Sequence, residues 1–72
     1  MKLNAVNVVE YVDDTITAIH SFTDDAEGND EAEGLFTQIA KENGFELESI
    51  EAALDDGHME RGTWQLFIVH NS

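Results

Sequence analysis

The sequence predicts an α+β domain: a small two-layer structure of a β-hairpin, an α-helix, a short second helix and a C-terminal strand that joins the sheet. Three observations carry this reading. Apolar residues alternate with period two on either side of Asp13-Asp14. Ala32, Leu35, Phe36, Ile39 and Ala40 follow the i, i+3, i+4, i+7, i+8 spacing of one buried helical stripe. Trp64 to Val69 is a run dominated by apolar side chains, set off by Gly62.

Leu3 to Val12 reads as the first strand. Leu3, Ala5, Val9 and Tyr11 share one face; Val6, Val8 and Val12 share the other, with Glu10 among them. Asp13-Asp14 interrupts the pattern, and Asp tolerates turn conformations because its short side chain hydrogen-bonds nearby backbone. Thr15 to Thr23 resumes the alternation, with Ile16, Ala18, His20 and Phe22 on one face. A two-residue turn places Tyr11 opposite Ile16, Val9 opposite Ala18 and Ala5 opposite Phe22, so the two apolar faces coincide.

Asp24 to Asn29 is polar and reads as a loop. The helix is expected to follow it, with Asp30 and Glu33 at capping-box spacing and Asn29 as an alternative cap. Its first turn is acidic and Lys41 lies in its last, both matching the helix dipole. Asn43-Gly44 is a stop signal, with Gly44 suited to the left-handed position after a helix. In the next segment, Leu47, Ile50, Ala53 and Leu54 have helical spacing. The reading is a short extended piece, with a strand over Phe45 to Leu47 possible, and then a short helix over residues 49–56, with Ser49 as cap and Gly57 ending it. His58 to Gly62 reads as a loop and Thr63 to His70 as the last strand. Apolar residues on both faces mark that strand as central or doubly covered.

This layout buries Val9, Tyr11, Ile16, Phe22, Leu35, Phe36 and Ile39 between sheet and helix. The other sheet face then displays Val6, Val8, Val12 and Ile19. That is a large apolar surface for so short a chain, and the expectation is a homodimer, or another partner, seated on it.

At 72 residues the chain is read as a single domain, 1–72. A domain of this size buries only about 60% of its unfolded surface. With no cysteine, neither disulfides nor thiolate metal sites supplement the core. No 18-residue apolar run spans a membrane, and Met1-Lys2-Leu3-Asn4 lacks the features of a secretory signal. A cytoplasmic location is the expectation. Sixteen Asp and Glu against three Lys and Arg give a formal charge of −13. A hydrophobic content of 42% is nonetheless that of a folded domain. Lys2, Lys41 and Arg61 cannot form a basic stripe, so direct binding to nucleic acid or to anionic lipid is excluded. The favoured partners are basic protein surfaces, divalent cations or nothing charged at all.

The layout, with Lys41-Glu42-Asn43-Gly44 closing the helix, Asp55-Asp56-Gly57 after it and the Gly62–Val69 strand last, resembles small uncharacterised acidic proteins of phage and bacterial genomes. The resemblance covers most of the chain. It rests on structural punctuation and implies no activity and no functional residues.

The motifs that would carry chemistry fail on spacing. A calcium loop needs Gly at position 6 and a bidentate carboxylate at position 12. Setting Gly28 at the glycine position puts Gly34 at the last one; setting Gly34 there puts Ala40 at the last. His20, His58 and His70 lack zinc-site spacing, and His20, on an apolar strand face, reads as a hydrogen-bonded structural histidine. Asp13-Asp14, Asp24-Asp25 and Asp55-Asp56 lie in turn segments, where carboxylates are solvated, whereas acid–base catalysis needs them in an apolar cleft. No catalytic residue, cofactor or metal is assigned. Trp64 reads as buried in the core or in an interface. The resulting expectation is a non-enzymatic interaction protein that binds a basic surface of a partner, in its sharper form a nucleic-acid mimic whose carboxylates stand in for phosphates; that such a mimic would be a phage-type inhibitor is what the resemblance adds. The acidic run Asp24, Asp25, Glu27, Asp30, Glu31 and Glu33 is the candidate contact surface. The rival readings are a salt-adapted acidic domain and a weak divalent-cation-binding regulatory domain. Mimicry predicts carboxylates gathered on one face; salt adaptation predicts even coverage.

Overall fold

Residues 5–71 are described by a computed structural model of the chain; the expected start of the first strand at Leu3 and Asn4 lies outside them. The elements are β1 (Ala5–Val12), β2 (Thr15–Thr23), α1 (Ala26–Glu42), α2 (Leu47–Asp56), β3 (His58–Arg61) and β4 (Trp64–Asn71). The strands form one antiparallel sheet in the order β2-β1-β4-β3. Both helices pack on one face of it, which is the expected α+β, two-layer architecture. β4 is central, as its apolar residues on both faces predicted.

Asp13 and Asp14 make the β1–β2 turn with φ of 53° and 63°. Positive φ at both central positions is the type I′ geometry whose twist matches a hairpin. The Asp13 amide also donates to the Thr63 carbonyl at 3.1 Å, tying this turn to the start of β4. Glycine adopts such a backbone without the Cβ penalty that L-residues carry. Asp14→Gly should therefore raise stability by about 1 kcal/mol, read as a higher urea midpoint at unchanged slope. A lower midpoint would mean that the Asp14 side chain itself holds the turn.

The hairpin contains a β-bulge that the alternation does not reveal. Tyr11 pairs with Ile16 as expected, but Glu10 pairs with Ala18 and Val9 with Ile19. Thr17 is the extra residue, and its hydroxyl donates to the Glu10 carbonyl at 3.2 Å. An inserted residue shifts every side chain beyond it to the opposite face. Phe22 thus joins Val6, and the helix-facing set becomes Val6, Val8, Ala18 and Phe22 rather than Val9, Tyr11, Ile16 and Phe22.

The predicted division of β1 into two sets holds, but the assignment of those sets to core and surface is reversed. Val6 and Val8 are fully buried under the helices with Leu66, Ile68 and Met59. They are not part of an exposed interface. Both faces of β1 are apolar, so period alone cannot say which is covered. The bulge and the pairing of Val8 with Ile68 decide it. Fully burying a side chain such as Phe36, Ile50 or Leu66 contributes about 1.5–3 kcal/mol apiece.

α1 begins earlier than the sequence suggested. Its N-cap is Asp25, whose side chain accepts from the Gly28 amide at 2.7 Å, rather than Asn29 or Asp30. Gly28 concealed this start, because glycine there reads as loop. The helix passes so close to the end of β2 that a Cβ on Gly28 would lie 1.7 Å from the Thr23 carbonyl oxygen. Ala32, Phe36 and Ala40 are buried, and Leu35 and Ile39 pack beside them, as the spacing predicted. α2 starts at Leu47 with Glu46 at its cap, two residues before Ser49, and ends at Gly57 with φ 85°.

The expected loop from His58 is mostly strand. Residues 58–61 pair with β4 through a tight turn at Gly62, whose φ is 61°. Arg61 fixes this hairpin to the α1–α2 connection. Its guanidinium lies 4.1 Å from the Phe45 ring centroid, and its Nη1 donates to the Asn43 carbonyl at 3.0 Å. Phe45 stacks in turn on Trp64 with centroids 5.4 Å apart. The Trp64 indole Nε1 donates to Glu10 Oε2 at 2.6 Å, so the half-buried ring has its polar partner.

Candidate functional site

The acidic residues are distributed unevenly over the two layers. With about 100° between successive residues of a helix, Glu27, Asp30 and Glu31 lie opposite the buried stripe of α1, and Glu33 lies on its flank; all four are exposed. On α2, Glu48, Glu51 and Asp55 lie opposite Ile50 and Ala53 and are likewise exposed. Amphipathicity forces this arrangement, since the buried stripe leaves only the outer face for charge. Among the described residues, no lysine or arginine comes within ion-pair distance of a carboxylate; the pair that forms is His70 Nδ1 with Asp24 Oδ1 at 3.6 Å.

The six predicted contact residues divide into two groups. Asp24 accepts from Asn29 Nδ2 at 2.7 Å and faces His70. Asp25 caps α1. These two are occupied in holding the start of the helix. Glu27, Asp30, Glu31 and Glu33 make no such bonds and project into solvent. Asp25, Glu27 and Glu31 also border a small polar hollow with Thr23 and Gly28.

The sheet face away from the helices is the second surface. Val9, Tyr11, Gln65, Phe67 and Val69 line a shallow apolar depression at its centre. Tyr11 meets Phe67 edge-on at 5.6 Å, and the His58 ring stacks on Phe67 at 5.5 Å. Ile19, paired with Val9, is 56% exposed and extends the patch onto β2, and beside it Ser21 of β2 hydrogen-bonds to Asn7 of β1. Of the predicted interface residues, Ile19 alone sits on this open face. Val12, 38% exposed, lies by the turn on the other side of the sheet. Sequence reasoning missed Tyr11, His58 and Phe67 as a surface cluster. The available signal was the apolar character of both faces of Trp64 to Val69, which puts apolar side chains on the sheet face away from the helices as well. Among the described residues, one carboxylate, Glu60 on the edge strand β3, shares this face.

His20, expected to be a hydrogen-bonded structural histidine on an apolar strand face, is exposed on β2. His58 lies in β3 and His70 in β4. Among the described residues no group of three or more His, Asp and Glu is placed to hold a metal ion, and no helix is long and apolar enough to cross a membrane. No protein-family model, curated protein or solved structure gives a significant match to the chain.

Proposed function

We propose that this chain is a non-enzymatic interaction protein that offers its acidic helical layer to a basic surface of a partner protein, in the manner of a nucleic-acid mimic filling a phosphate-binding groove. One observation carries the reading: among the described residues, the carboxylates gather on the helical layer and the turns, unpaired by Lys or Arg, while the open sheet face carries Glu60 alone. Salt adaptation by itself favours even coverage, so the one-sidedness supports the interaction reading. Complementary charge of this kind speeds encounter and specifies the partner.

The test separates charge from fold. Glu27→Gln, Asp30→Asn, Glu31→Gln and Glu33→Gln are combined, leaving Asp24 and Asp25 to hold the helix start. The wild-type chain, immobilised at low salt, is expected to retain a basic nucleic-acid-binding protein that both 0.5 M sodium chloride and duplex DNA release, salt acting by screening. The folded combined variant should bind that same protein at least tenfold more weakly. Wild-type affinity in that variant would remove α1 as the contact surface and return the lead to an acidic face that only maintains solubility.

A further inference from the structure

We infer that the open sheet face is a self-association surface, covered in solution by the same face of a second copy of this chain. The aromatic cluster of Tyr11, Phe67 and His58 would lie at its centre, with Ile19 and Val69 around it.

Three considerations select a second copy over another occupant. The first is charge. A chain of net charge −13 can approach its own kind only through a surface almost free of carboxylates. The open face meets that condition, and the helical layer does not. Sheets stacked face to face lie about 10 Å apart, with a helical layer beyond each. The two acidic layers then point in opposite directions, several Debye lengths apart at the physiological value of about 8 Å. The second consideration is self-complementarity. A twofold interface places one patch against itself, which an apolar, nearly uncharged face accepts without leaving a charge unpaired. A basic partner would find almost nothing to neutralise there. The third is area. Four strands about 4.8 Å apart, with a rise of about 3.4 Å per residue, give a face of roughly 500 Å² when the central strands have eight residues. Two such faces bury on the order of 1,000 Å², the lower bound for a specific association. The expected dimer is therefore reversible and of moderate affinity.

Sedimentation equilibrium from 5 to 500 µM in 150 mM sodium chloride tests this. Wild type is expected to shift from monomer to dimer across the range. Ile19→Glu and Val69→Glu, at sites that are 56% and 40% exposed in the single chain, should each raise the dissociation constant at least tenfold while leaving the far-UV circular dichroism unchanged. Val69 lies on a central strand, so its effect also excludes pairing through the sheet edge. Leu47→Glu, 51% exposed on α2, should leave the dimer intact. A wild-type monomer at 500 µM overturns the proposal and leaves the face to a different partner. So does a dimer that Leu47→Glu disrupts and the two sheet-face variants do not.

Discussion

Gly28→Ala is expected to lower the thermal midpoint by about 5–20 °C, and Gly34→Ala, six residues along the same helix, to raise it. Propensity predicts a gain for both, because alanine exceeds glycine by about 1 kcal/mol in a helix interior. The surroundings separate them. At Gly34 an added Cβ meets nothing within 4 Å, so the full propensity gain should appear. At Gly28 the added carbon would sit 1.7 Å from the Thr23 carbonyl oxygen, a backbone atom that cannot swing aside. The first turn of α1 must back away from β2, and the Asp25 cap, which bonds this same Gly28 amide, is disturbed with it. Overpacking of this kind costs about 1–3 kcal/mol, occasionally more, and the lost cap about 1 kcal/mol. Together they exceed the propensity gain by roughly 1–3 kcal/mol, and in a domain this small each kcal/mol moves the midpoint about 4–8 °C. Differential scanning calorimetry on the pair is the check. If the two alanines shift the midpoint in the same direction, the close approach of α1 to β2 does not exist.

Raising sodium chloride from 10 to 500 mM should stabilise the wild-type fold by on the order of 1–2 kcal/mol. The destabilising contacts can be named. Glu27 lies one turn from both Asp30 and Glu31, Asp30 one turn from Glu33, and Glu51 one turn from both Glu48 and Asp55. Like charges at such spacings cost about 0.2–0.5 kcal/mol per pair, and among the described residues no Lys or Arg ion pair offsets them. Salt screens these exposed repulsions and weakens little that is favourable. The combined Gln/Asn variant of α1 supplies an internal control. It should begin more stable than wild type at 10 mM and gain less from added salt. A wild-type midpoint that is flat or falling across the range would mean that the carboxylates are compensated within the fold.

Three features of the fold were legible from the residues. The stripe of α1 and the central position of β4 follow from spacing, and Asp13-Asp14 forms the predicted turn. What escaped had specific physical causes. The Thr17 bulge is one extra residue in a strand whose composition stays that of a strand, and it alone moves Phe22 to the other face. β3 contains one buried apolar residue, Met59, too few for period two to register. The start of α1 was hidden because Gly28 is needed for close packing, and a packing glycine looks like a loop glycine until its neighbour is known. The candidate site was legible as composition: the carboxylates were evident, and so was the surplus of apolar residues over what one core could absorb. Which apolar residues made that surplus depended on long-range pairing, and Val6 and Val8 exchanged places with Val9 and Tyr11.

The position of β1 beside β4 has a consequence for how the chain comes into being. These two strands pair along their whole length in the middle of the sheet, yet almost the entire described chain lies between them. A nascent chain emerging from the ribosome therefore offers Val6, Val8 and Phe36 no lasting shelter until residues 64–71 have been made, because a two-stranded hairpin alone is marginal in water. Folding must wait for synthesis and then proceed through contacts that are distant in sequence, which are slow to form. During that interval apolar strands are exposed, and mutual repulsion among chains carrying −13 opposes their association. The charge that weakens the finished fold thus protects the unfinished one.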